Sequence, residues 1–174
     1  MGTREVEELG NAAKYWEYNP AEAKKLFAAA GVSLPFESTM THWDQGVVGQ
    51  WFPDGATLIE AGWREQGIAK VQDITQTIGV YLSTTGIGKY DGLGWSLNPD
   101  YASGLAIGLA VHDQFYWGPN GEHSANNRSF INDPRLSELA VKQLQTFNVE
   151  ERKRLFREME MIVAEEQYRV VTTT

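Results

Sequence analysis

The chain has 174 residues, of which 42% are hydrophobic and 22% are charged, and its formal net charge is −8. This length and composition predict one soluble globular domain that buries most of an apolar core, and they exclude a disordered chain. The acidic balance provides no basic surface for phosphate backbones, so we expect no nucleic-acid partner.

The first half of the chain alternates helix and strand patterns. NPAEAKKLFAAAG predicts a helix with Asn19 as N-cap, Pro20 in the first turn and Gly31 at its end. The strand pattern LPFESTMTHW follows, and a loop is predicted over 44–55 before the helical segment ATLIEAGWREQG. A strand IAKVQDI, a helix TQTIGVYLSTTG and a strand KYDGLGW come next. This order predicts an α/β fold with parallel strands joined by right-handed crossovers.

The pattern changes after Tyr101, where small apolar residues, ASGLAIGLAV, precede a polar loop, HDQFYWGPNGEHSANNRSFIN. Two helices are predicted next, because Asp133 and Pro134 form a cap before RLSELAVKQLQTF and VEERKRLFREMEMIVAEEQ carries an apolar stripe. The closing residues YRVVTTT predict a final strand.

Two kinds of segment are not expected in this chain. No apolar run approaches the roughly 20 residues of a membrane span. The opening MGTREVEELG lacks the basic-then-apolar order of a signal peptide.

There is no cysteine, which excludes disulfides, thiol catalysis and thiolate metal sites without deciding the compartment.

Three groups of residues are candidate binding sites. Trp95 ends the strand pattern KYDGLGW immediately before a turn, where ligand-facing residues collect. THWDQ places Trp43 between His42 and Asp44 at another strand end. The polar loop is the third group, with stacking surfaces, Tyr116 and Trp117, and polar contacts, Asn126, Asn127 and Arg128. A structural role at the edge of the core, or in a surface loop, is equally compatible with each of the three groups.

Five motifs in order resemble extracellular solute-binding protein family 5, the oligopeptide, dipeptide and nickel-type receptors of ABC importers. They are YNPAEAKKLFAAAG, WREQGI before a strand, GKYDGLGWSLNPD, ANNRSFINDPRLSEL and NVEERKRLFREMEMIVAEEQYRVV. The resemblance extends from about Tyr15 to Val171 and covers only the C-terminal lobe of these longer, two-lobed receptors.

The resemblance implies a mixed sheet with flanking helices, one lobe of a type II periplasmic-binding-protein-like fold, with 1–174 as a single domain. It implies binding without catalysis, in which two lobes close on an oligopeptide or another oligomeric solute and present it to an ABC permease. A monomer in the periplasm, or a cell-surface lipoprotein, is the expected form. The lobe by itself is expected to bind weakly or not at all.

The resemblance also implies that Trp95 faces the cleft between the lobes. Three residues later, peptide-binding members carry an aspartate that pairs with the free α-amine of the ligand. Asn98 aligns there in this sequence, and a shift of one or two residues would return the role to Asp100. Because an amide both donates and accepts hydrogen bonds, Asn98 favours a neutral ligand such as an oligosaccharide, and both ligand classes remain open.

Two other functions fit the sequence less well than a receptor does. A glycoside hydrolase needs two facing carboxylates, and the sequence has no preferred pair; the serine-hydrolase motif G-x-S-x-G is absent as well. A non-catalytic interaction module would use the charged C-terminal helix. The histidines, His42, His112 and His123, lack metal-ligand spacing, so we expect no metal, no cofactor and no enzyme.

Overall fold

The computed structural model describes residues 6–46, 48–96 and 107–170. Two compact units are present, one formed by Tyr18–Leu97 and the other by Met1–Glu17 together with Asn98–Thr174. We call them the sheet unit and the helical unit. Whether 1–174 behaves as a single domain stays a prediction, and each unit is described by itself.

The sheet unit has three parallel strands. In chain order it contains α1 (Pro20–Ala29), β1 (Phe36–Trp43), α2 (Trp51–Glu65), β2 (Ala69–Gln76), α3 (Ile78–Ser83), a 3-10 turn (Thr85–Ile87) and β3 (Leu93–Gly94). The strand order is β2-β1-β3. β1 pairs in parallel with β2 over eight residues, and with β3 only at Met40 and Thr41. The predicted α/β class with parallel crossovers is confirmed, and no antiparallel strand joins this sheet within the described residues.

A local signal explains where α1 begins. The Asn19 side chain accepts a hydrogen bond from the backbone N–H of Glu22 at 3.0 Å, as the predicted cap of α1 requires. α2 begins at Trp51, so the prediction of a loop over 44–55 was wrong at its end. Pro53 is compatible with this earlier start because the first turn of a helix does not need its N–H.

The helical unit contains a kinked 3-10 segment (Val6–Trp16), α4 (Ile107–Phe115), α5 (Pro134–Leu144) and α6 (Val149–Glu166). α4 contains His112 to Phe115, so the predicted polar loop begins at Tyr116. The predicted caps of α5 and α6 are present, with Asp133 accepting from Arg135 N–H at 2.9 Å and Asn148 from Glu151 N–H at 3.0 Å.

The core of the helical unit joins its three α-helices. It consists of buried residues of α4, α5 and α6 together with Ile131. Leu9 and Ala12 of the 3-10 segment pack against Ala164 of α6. The predicted final strand is wrong over the described residues 168–170, which are not in a strand, and 171–174 lie outside them. The largest buried contributors are Phe115, Leu136, Leu155 and Met159.

Candidate functional site

Trp95 lies at the carboxyl end of the sheet. It directly follows β3, and its backbone N–H donates to the Thr41 carbonyl at 2.9 Å, which extends the pairing with β1 by one residue. The side chain is half-buried. The predicted position at a strand end and the predicted partial exposure are therefore confirmed. In open α/β sheets ligands bind outside the carboxyl ends of the strands, which is where this indole lies.

An aromatic cluster holds Trp95 in place. The indole N–H donates to the Phe52 carbonyl at 3.1 Å, and the Tyr81 hydroxyl lies 3.4 Å from the Trp95 carbonyl oxygen that accepts from it. The rings of Phe52 and Trp95 are 5.8 Å apart between centroids and tilted by 35°. Phe52 and Tyr81 are both buried. These contacts hold the indole of Trp95 against Phe52.

Trp43 forms the base of the same cluster. Its ring stacks on Phe52 at 4.7 Å with an interplanar angle of 15° and meets Tyr81 edge-on at 4.8 Å. Only 4% of Trp43 is exposed. Burial on this scale does not support the ligand contact predicted for Trp43, because neighbouring aromatic rings already occupy its stacking surfaces. Asp44, its predicted companion, accepts from the N–H of Gly46 at 3.1 Å.

His42, which the sequence places in one candidate binding group with Trp43 and Asp44, is buried beside Trp43. His42 is 1% exposed, and its Nδ1 lies 2.8 Å from the Trp43 carbonyl oxygen. The Nε2 atom lies 2.9 Å from Asp73 Oδ1 on β2. Burial raises the pKa of the Glu60 carboxyl on α2, and the charge of Asp73 raises that pKa further. The three groups link β1, β2 and α2 electrostatically.

In the helical unit, Tyr116 and Trp117 follow α4 and are both half-buried. Tyr116 stacks on His112 at 4.6 Å, and Trp117 stacks on His123 at 4.3 Å with planes only 3° apart. The backbone N–H of Trp117 donates to Ser137 Oγ at 3.0 Å. The predicted stacking surfaces therefore exist, but a histidine occupies one face of each ring. Trp117 and His123 form an isolated antiparallel bridge across the turn that contains Asn120 and Gly121.

Asn127 closes its own loop. Its amide accepts from the Ile131 N–H at 3.0 Å and donates to the Ile131 carbonyl at 2.9 Å, and the residue is 1% exposed. Its ligand contact stays a prediction that this burial does not support. Neighbouring Asn126 and Arg128 are half-buried, and the predicted carboxylate contact of Arg128 also stays a prediction.

Asn98 and Asp100 lie outside the described residues. Within 6–46, 48–96 and 107–170, no three histidine, aspartate or glutamate side chains are grouped as metal ligands would be. Among the same residues, no helix combines the length and apolar character that crossing a membrane requires.

Comparison with solved structures relates this fold to known proteins. The chain superposes on the peptide-bound ABC transporter-associated periplasmic binding protein DppA from Helicobacter pylori with a TM-score of 0.68 and 21% identity, over 88% of this chain and 28% of that one. The chain has the fold of part of a periplasmic binding protein. The resemblance to solute-binding proteins predicted from the motifs is thereby confirmed for the fold.

Two further structures show the range of ligands on this fold. The oligopeptide-binding protein AppA from Bacillus subtilis, in complex with a nonapeptide, has a TM-score of 0.64 and 16% identity over 88% of this chain and 31% of that one. NikZ from Campylobacter jejuni, in complex with Ni(L-His), has a TM-score of 0.60 and 14% identity over the same shares, 88% and 31%. This chain thus spans less than a third of the length of each. No family model and no curated protein matches the sequence.

Proposed function

We propose that this chain forms one wall of the ligand site of an ABC-importer solute-binding protein that captures a peptide or another oligomeric solute. The observation that carries the proposal is Trp95, a half-buried indole at the carboxyl end of a parallel sheet. The likeness of fold to periplasmic binding proteins supports the same function.

The proposed mechanism is binding without chemistry. Trp95 offers a flat surface on which a ligand group stacks and from which water is excluded. Because hydrogen bonds and packing already fix the ring, little side-chain entropy remains to be lost on binding. Closure of a second lobe over the ligand would be a hinge equilibrium that the ligand shifts.

The helical unit contributes further candidates to this function. Tyr116 and Trp117 are half-buried aromatic surfaces, and Arg128 has the planar fork that pairs with a carboxylate. Asn98 or Asp100 is retained for the ligand's amine or amide, on the strength of the motif alone.

The same proposal covers partners and location. It includes an ABC permease as partner, a location in the periplasm or as a cell-surface lipoprotein, and a monomeric state; the likeness to an ABC transporter-associated periplasmic binding protein supports the permease and the periplasm. A hydrolase domain is not favoured, because the similar structures named above are binding proteins.

Trp95→Ala is the direct test. We expect the wild-type chain to bind the peptide Ala-Phe-Ala-Ala with a dissociation constant on the order of millimolar, measured from chemical-shift changes in nuclear magnetic resonance spectra. Trp95→Ala should weaken binding at least about fivefold, because the stacking surface is lost. Trp63→Ala is the matched control, since this half-buried indole on α2 lies outside the aromatic cluster. Equal weakening in both variants would contradict the proposal.

A second experiment distinguishes Asn98 from Asp100 as the residue that contacts the ligand's amine. If Asn98 occupies the amine position, acetylating the N-terminus of Ala-Phe-Ala-Ala should change affinity by less than about threefold. Asn98→Asp should then create a preference of about tenfold for the free amine, because a carboxylate compensates a desolvated ammonium. Titration calorimetry measures both. A wild-type preference for the free amine that disappears in Asp100→Asn would assign the role to Asp100.

A further inference from the structure

The indole N–H of Trp95 is not available to a ligand. Tryptophan has a single donor and no acceptor, and this donor is bonded to the Phe52 carbonyl at 3.1 Å. The exposed part of the ring therefore offers only carbon atoms and a π face. An indole used in this way can pack against apolar or planar groups, but it cannot recognise a hydrogen-bond acceptor.

A glycine on α2 admits the ring to this position. A Cβ atom built on Gly55 would lie 3.1 Å from Trp95 Cζ2 and 3.8 Å from Cη2. These distances place the six-membered ring of the indole against the helix backbone. Glycine is unfavourable inside a helix, but the absence of a side chain at Gly55 leaves room for the Trp95 ring against α2.

We propose that Gly55 and the Phe52 carbonyl are positioning elements that present Trp95 as a sealed, apolar wall, so that the ligand group seated on it is an apolar or aromatic side chain. This inference rests on the proposed function and adds the chemical class of the group. It depends only on contacts within the sheet unit.

The pose is tested first without a ligand, on the indole N–H signal of Trp95, which Trp95→Phe assigns. In the wild-type chain this signal should exchange with deuterium at least about tenfold more slowly than that of Trp51, whose residue is 46% exposed. Gly55→Ala should shift the Trp95 signal and accelerate its exchange. Gly62→Ala, in the same helix with nothing within 4 Å of its added Cβ, should leave the signal unchanged.

Ligand class is tested with two small probes, N-acetyl-phenylalanine amide and N-acetyl-glutamine amide. The phenylalanine probe should shift the Trp95 ring signals, with a dissociation constant at least about fivefold lower than that of the glutamine probe. Gly55→Ala should reduce this discrimination at least twofold, although its thermal stability is kept, and Gly62→Ala should preserve it. A purely structural role for Gly55 would not change the ratio between probes.

Contrary outcomes separate the two proposals. Fast N–H exchange in the wild type, or an unchanged signal in Gly55→Ala, would overturn the assigned pose and with it the ligand class. A glutamine probe that binds as well as the phenylalanine probe would overturn the ligand class alone. A correct pose with no response of Trp95 to either probe would overturn the proposed function at this residue, and the ligand class that rests on it.

Discussion

Gly92→Ala is expected to lower the free energy of unfolding by about 3 kcal/mol or more. Gly92 has φ of +79°, which side chains rarely adopt, and its added Cβ would lie 2.5 Å from the Thr39 carbonyl oxygen and 2.7 Å from Ser38 Oγ. The Thr39 carbonyl belongs to the backbone of β1, which cannot move aside as the end of a flexible side chain would. The turn before β3 would have to move away from β1.

Two glycines separate the causes of this effect. Gly67→Ala meets nothing within 4 Å but has φ of +62°, so it should cost about 1 kcal/mol for conformation alone. Gly62→Ala meets nothing and lies in a helix without a positive φ, so it should be neutral or stabilising by up to about 1 kcal/mol. Urea unfolding measures all three. If Gly92→Ala costs no more than Gly67→Ala, the turn relaxes and the steric argument fails.

Asp133 should make the helical unit sensitive to acid. Its side chain is 4% exposed and accepts from Arg135 Nη2 at 2.6 Å and from the Tyr168 hydroxyl at 2.8 Å. The Arg135 hydrogen bonds are the main cause that lowers the pKa of Asp133 to about 2, against the opposing effect of burial.

The sign of the pH dependence follows from that lowered pKa. A carboxyl with a depressed pKa stabilises the folded state above its unfolded pKa, and the stabilisation is lost as the pH falls through the folded value. Asp133→Asn should therefore cost about 2 kcal/mol at pH 7, and its difference from wild type should shrink below pH 4 and close near pH 2. Urea unfolding between pH 7 and pH 2 measures it.

Glu151→Gln is the matched control for Asp133→Asn. Glu151 lies in the first turn of α6 and, like Asp133, pairs with an arginine, Arg154 at 2.7 Å, but its side chain is 43% exposed. Exposed pairs contribute little because water screens them, so stability should hardly change at any pH. Equal losses in the two variants would show that burial of Asp133 is not the cause.

Signals that are local in sequence predicted much of the fold. The caps Asn19 and Asp133 act on N–H groups two or three residues away, so the sequence is sufficient to place them. The position of Trp95 at a strand end was predictable for the same reason, because the strand pattern stops there. The start of α2 was missed because Pro53 and Gly55 both indicate a loop unless the geometry of the first turn is known.

Features that depend on distant residues could not be predicted. Trp43 is buried because Phe52 and Tyr81, from two other elements, cover it. The indole N–H of Trp95 is bonded across 43 residues, and Tyr168 reaches Asp133 across 35. Such contacts leave no periodic trace in the sequence, which is why the supports of the candidate site appear only in the fold.

The packing of the 3-10 segment Val6–Trp16 on α6 affects the order in which the two units can fold during synthesis on the ribosome. Leu9 and Ala12 contact Ala164, so the helical unit combines segments that precede and follow the sheet unit in sequence, while Tyr18–Leu97 is continuous. Synthesis proceeds from the N-terminus, and continuous units fold as they emerge. The sheet unit can therefore form while α6 is still untranslated, and Val6–Trp16 lacks its packing partner until α6 has been made.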